Sequence, residues 1–149
     1  MKNIIPLTSE DVDLTVEAVR KYAAEMAYSF NEPYVRENLY AMANGKVPIM
    51  IIKDDNGQIA GVSGMIITPN LYNPEVYEAR EFCWHTDPDH APPVRARLML
   101  RLLDLMVSGC RACGFPLNIA VRAGNRTTAK MLETRGFKLT ELIYKKEFF

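Results

Sequence analysis

The chain has 149 residues, 48% of them apolar and 24% charged, and its 18 basic residues balance its 18 acidic ones. That size and composition suit one soluble globular domain over residues 1–149, with enough apolar side chains to bury a sizeable core. A neutral total gives no global field for nucleic acid or an anionic membrane, and no apolar run reaches spanning length, so neither partner is expected.

The opening residues Met1 to Pro6 lack the apolar core of a signal peptide. Three cysteines, an odd number, fit a reducing compartment, and a cytoplasmic location is expected.

Ile4 to Leu7 reads as a short strand. Thr8 or Ser9 then caps a helix whose apolar rhythm (Val12, Val16, Val19, Tyr22, Ala23, Met26) runs to about Phe30. Pro33 suits the first turn of a second helix ending at Asn44-Gly45. Val47 to Lys53 and Gln58 to Ile67 are apolar runs flanking Asp54-Asp55-Asn56-Gly57, a strong hairpin signal. Thr68 to Pro74 reads as a loop, Val76 to Thr86 as a strand, and Asp87 to Pro93 as a proline-rich loop. An apolar helix follows from Val94 to about Val107, stopping near Ser108-Gly109 or extending its last turn through Cys110 to Gly114. Pro116 to Val121 is a strand, Asn125 caps a helix that Gly136 closes, and Lys138 to Lys146 is a final strand. This order predicts an α/β fold with a mixed, mostly antiparallel central sheet and helices on both faces.

Arg95, Arg97 and Arg101 crowd the start of the Val94 helix, where the backbone is already partly positive. An anionic ligand there would reverse the sign of that cost; arginines snorkelling to water would also accommodate it. Arg126 opens the next helix and adds to the anion reading. Cys110 and Cys113 have the spacing of half a zinc site, but no second pair follows and they read as packing residues. Glu81, Cys83 and His85 alternate along one strand and so share a face.

Glu81-Phe82-Cys83-Trp84-His85-Thr86-Asp87-Pro88 and the helix from Asn125 to Gly136-Phe137 resemble the GNAT-type N-acetyltransferase superfamily, and the element order is similar throughout. The resemblance implies transfer of an acetyl group from acetyl-coenzyme A to a primary amine on a small molecule or a protein. It implies a V-shaped opening between splayed strands, with the pantetheine amides paired to Phe82, Cys83, Trp84 and His85. Counting along the motif puts Arg95, Ala96, Arg97, Leu98 and Met99 where the family binds pyrophosphate, with Asn125 and Arg126 contributing from the next helix. Glu81 takes the place of the catalytic base, and Tyr144 is the phenol nearest to hand as acid.

Two positions depart from the family's pattern. Val94 to Met99 contains no glycine, although glycine lets a backbone amide approach phosphate unobstructed. Leu132 stands where the family often carries its acid tyrosine. These departures define the alternative, a catalytically inactive GNAT-fold protein acting as a binding or regulatory module, such as a bacterial or phage-encoded inhibitor. A homodimer is compatible with either.

Overall fold

The computed structural model describes residues 3–45 and 49–148. Five strands form one sheet in sequence order: β1 (Ile4–Pro6), β2 (Met50–Lys53), β3 (Ile59–Asn70), β4 (Asn73–Thr86) and β5 (Leu117–Asn118). β1 to β4 are antiparallel neighbours, and β5 runs parallel to β4. Helices α1 (Val12–Glu25) and α2 (Glu32–Ala43) precede β2; α3 (Pro92–Cys113) joins β4 to β5, and α4 (Arg126–Thr134) follows. The expected mixed, mostly antiparallel sheet is therefore observed.

The sheet separates two cores by the two-residue alternation of its strands. Ile51, Ile59, Val62 and Cys83 pack with Val12, Val16, Val19 and Tyr22 of α1 and Leu39 of α2. Ile52, Ala60 and Trp84 turn the other way, onto Leu98, Leu102, Leu103 and Met106 of α3 and Leu132 of α4. Helices thus cover both faces.

Local chemistry explains where elements begin and end. Asp54 Oδ1 accepts from the Asn56 and Gln58 amides at 2.8 and 3.0 Å, and Gly57 has φ +76°, which builds the β2–β3 turn. The start of that predicted first run, Val47 and Pro48, lies outside the described residues. Asn31 caps α2 through the Tyr34 amide, and Asn125 caps α4 through the Thr128 amide.

Four boundaries differ from the sequence expectation. α1 ends at Glu25, not near Phe30, because Ala27 turns left-handed (φ +57°) and the Tyr28 amide closes on the Ala23 carbonyl. Thr68 to Pro74 is no loop: Asn70 Oδ1 gathers the Tyr72 and Asn73 amides, so the chain reverses within two residues and β4 starts at Asn73. α3 opens at Pro92 and not at Val94, and it takes the extended course through Ser108-Gly109 to Cys113, stopping at Gly114, φ +73°. Lys138 to Lys146 forms no strand; Leu139, Leu142, Ile143 and Tyr144 are exposed there.

Candidate active site

β4 and β5 pair over only Ala79↔Leu117 and Arg80↔Asn118, extended by the Ala79 amide donating to the Pro116 carbonyl at 2.9 Å. Beyond that point β4 continues along β3 while the other chain departs, and the two lines separate. Glu81 stands where they part. Its Oε2 accepts from the Ala120 amide at 3.2 Å, and its Oε1 accepts from the Tyr22 hydroxyl of α1. The β3–β4 register shifts between Gly64 and Met65, pairing Gly64 with Cys83 and Met65 with Glu81, so Phe82 is the extra residue of a bulge. Burial pushes the Glu81 carboxyl up to about 7, with the Ala120 amide pulling the other way.

Cys83 and His85 face α1 as Glu81 does, so the shared face inferred from their alternation is present. Cys83 is fully buried in the α1-side core. Burial first, then the charges of Glu81 and Glu25, push its thiol well above the ordinary range, which makes it a packing group and not a nucleophile. His85 is 2% exposed, with Nδ1 3.4 Å from Glu25 Oε2 but not in hydrogen-bond alignment, and with Nε2 lacking a hydrogen-bond partner. Burial lowers its pKa, opposed by the Glu25 charge. Phe82 packs partly buried on the α1 side, whereas Trp84 turns to the opposite face and donates its indole N–H to the Met99 carbonyl at 2.9 Å.

The expected pyrophosphate residues lie within α3 itself. Pro92 and Pro93 open the helix without amide hydrogens, and the Val94 and Arg95 amides already donate to the Ala91 carbonyl at 2.9 and 3.0 Å. Arg95 donates through Nε to Thr86 Oγ1 and through Nη2 to the Thr86 carbonyl, and sits 3.5 Å from Glu25. Ala96 and Arg97 are exposed, and Arg97 Nε donates to the Pro93 carbonyl. Leu98 is buried in the core and Met99 packs partly buried beside it. The loop entering α3 carries Asp87, which accepts from the Asp89 amide and pairs with Lys21 at 3.5 Å. At α4, Asn125 Oδ1 takes the Thr128 amide, Arg126 donates its own amide to the Gly124 carbonyl, and the Arg126 side chain is exposed. A helix whose first two residues are prolines and whose next two amides are already taken, led in by two carboxylates, does not fit the diphosphate of coenzyme A.

Tyr144 is 90% exposed on the segment after α4. Leu132 is buried against α3, filling core where a phenol would otherwise point. The residue that sequence reading passed over is Tyr22, which counted only as part of an apolar stripe. A buried tyrosine on such a stripe needs a partner for its hydroxyl, and that requirement was the available signal. Arg122, donating from the segment after β5 to the Glu25 carbonyl at the end of α1 at 2.8 Å, carried no comparable mark.

No protein-family model matches the chain. No curated protein matches it either. Solved structures do. A predicted acetyltransferase from Clostridium acetobutylicum, solved with acetyl-CoA, superposes with a TM-score of 0.73 at 16% identity, covering 99% of this chain and 96% of that one. Glucosamine-6-phosphate N-acetyltransferase from Arabidopsis thaliana gives 0.73 at 12% identity, over 100% and 99%. A transcriptional regulator from Bacillus halodurans C-125 gives 0.74 at 14% identity, over 99% and 100%. Likeness at these identities establishes architecture alone: the chain has the fold of the GNAT-type acetyltransferases.

Proposed function

We propose that the protein is an N-acyltransferase in which Glu81 accepts the proton of an amine. One observation carries this reading: a carboxyl with its pKa near neutrality stands where β4 and β5 diverge. A general base works best when its pKa lies near the operating pH, and burial tunes this glutamate to that range. Tyr22 and Ala120 each hold one of the two carboxylate oxygens, which fixes the direction in which the free lone pairs face. The acceptor is a primary amine on a small molecule or a protein. Three free thiols suit a reducing, cytoplasmic setting.

Acetyl-coenzyme A is the donor that the fold implies, and it would supply an acyl group activated as a thioester. Because the start of α3 does not fit its diphosphate, we assign no step to that end of the molecule. The second reading, a GNAT-fold binding protein without catalysis, is favoured by one specific observation: the proline-led start of α3.

The test is thioester consumption across an amine panel, run with acetyl-coenzyme A and with a short acetyl thioester that lacks the nucleotide. Amine-dependent turnover that rises through pH 7 and falls about 100-fold or more in Glu81→Gln supports acyl transfer. Similar kcat/KM for both donors would mean the diphosphate adds little to binding. No turnover with either donor, and no thermal shift with millimolar acetyl-coenzyme A, would leave the binding-protein reading.

A further inference from the structure

The sheet is unfinished at β5. That strand ladders with β4 over two residue pairs, and its outer edge has no neighbour among the described residues. An unpaired edge presents backbone donors and acceptors to any strand that can reach it. The sequence predicts a strand from Pro116 to Val121, of which only Leu117–Asn118 is laddered. Beside β5 opens a groove of about 240 Å³, with Val107, Cys110, Phe115, Leu117 and Phe137 among its walls.

The chain also carries a strand-like segment that pairs with nothing. Past Phe137, Leu139, Leu142, Ile143, Tyr144 and Phe148 are 74, 68, 81, 90 and 83% exposed, and no ladder forms in residues 138–148. In an extended conformation Leu142, Tyr144 and Phe148 share one face, while Glu141, Ile143, Lys145 and Glu147 share the other. The first face suits an apolar groove, and the second suits water. The chain's own segment does not fill the groove. It departs from Gly136 and Phe137, which are groove walls, and its apolar side chains stay bare.

An open edge and an unpaired strand in one chain are self-complementary, and two copies related by a two-fold axis satisfy both at once. We propose that the chain forms a symmetric dimer by strand exchange, in which the segment from Lys138 to Phe148 of each copy pairs on β5 of the other. Leu142 and Tyr144 then enter the groove, and the added strand supplies the ladder that β5 lacks. Area favours this occupant. Buried aromatic side chains cover about 150–250 Å² each. Five large apolar side chains per copy, counted in both copies, therefore reach the roughly 1,200–2,000 Å² of a stable association. Charge permits it as well: the segment carries three lysines against two glutamates, so two copies meet without strong repulsion. The dimer is independent of acyl transfer, since Glu81 is not among the groove walls.

The experiment is sedimentation equilibrium on the full chain, with a dimer expected at about 100 μM. Leu142→Lys with Tyr144→Lys, both at positions exposed in the single chain, should weaken dimerisation at least about tenfold. Fluorescence of the buried Trp84 checks that the variant stays folded. In a mixture of ¹³C-labelled and unlabelled chains, an isotope-filtered spectrum should show Tyr144 of one copy against Leu117 of the other. A monomer at about 100 μM would overturn the proposal. So would a dimer that survives the double substitution, or a Tyr144–Leu117 contact found only within one chain.

Discussion

The Tyr22 hydroxyl, from the last turn of α1, donates to the carboxylate of Glu81 on β4, while the Ala120 amide holds the other oxygen. One side chain thereby ties together α1, β4 and the segment after β5. Removing the phenol in Tyr22→Phe withdraws a donor from the ionised form, so the Glu81 pKa should rise above its present value of about 7. A carboxyl ¹³C titration of wild type and variant reads this directly. An unchanged or lower value would mean that the tyrosine does not bear on Glu81 ionisation.

Glu81 also ties stability to pH. Its carboxyl ionises near 4.5 in the unfolded chain and near 7 when folded. Below pH 4.5 both forms are protonated and the folded state carries no penalty. Between 4.5 and 7 the unfolded chain releases a proton that the folded chain retains, so stability falls as pH rises across that window and then levels off. The loss is on the order of 3 kcal/mol at most. Glu81→Gln should flatten this profile and exceed wild type in Tm at pH 8, as read by thermal denaturation from pH 4 to 8.

Arg95 and Arg97 share a sequence context but not a surrounding. Arg95 bonds Thr86 twice and lies beside Glu25, whereas Arg97 is exposed and reaches only its own helix. Arg95→Ala should cost about 1–3 kcal/mol in urea denaturation, because it strips charge-assisted bonds from the end of β4. Arg97→Ala should stay within about 0.5 kcal/mol of wild type. Equal effects would show that Arg95 is no structural clasp.

Gly64 sits beside the bulge that aims Glu81, and a methyl group there would come within 2.8 Å of the buried Ile49 side chain. Gly64→Ala should therefore destabilise by about 1–3 kcal/mol through overpacking. It should also lower any Glu81-dependent activity beyond what the stability loss explains. Calorimetry combined with the thioester assay separates the two effects.

Ala27 occupies the left-handed region at φ +57° where α1 ends. An L side chain there carries a steric cost of roughly 1 kcal/mol, and glycine carries none. Ala27→Gly should raise stability by about 0.5–1 kcal/mol, a gain visible in the urea midpoint, because relief in the folded state outweighs the added freedom of the unfolded chain.

Order and packing were legible because they follow from period and caps. The two-residue alternation of Ile51-Ile52 and Cys83-Trp84 splits them between the two cores, and Asn31 and Asn125 announce helix starts through their side chains. Gly136, at φ +86°, lies just past α4 as its place in the sequence requires. Pro69 argued for a loop, yet Asn70 organises a turn tight enough for β3 to continue past it. At the site, Glu81 could be named from its strand, but its partners come from α1 and from the chain after β5. No local pattern encodes that meeting. The arginines of α3 resembled an anion cradle by composition, but Pro92 and Pro93 carry no amide hydrogen and the Ala91 carbonyl takes the amides of Val94 and Arg95.

The segment after α4 keeps the look of a strand without forming one, and β5 ends the sheet with its outer edge unpaired among the described residues. Leu139, Leu142, Ile143, Tyr144 and Phe148 lie open to water on that segment. What guards them is punctuation: Lys138, Glu141, Lys145, Lys146 and Glu147 interrupt the greasy run with charge, as gatekeeper residues do. Neutralising those lysines would leave the apolar side chains of the tail without that interruption and turn a tolerated segment into an adhesive one.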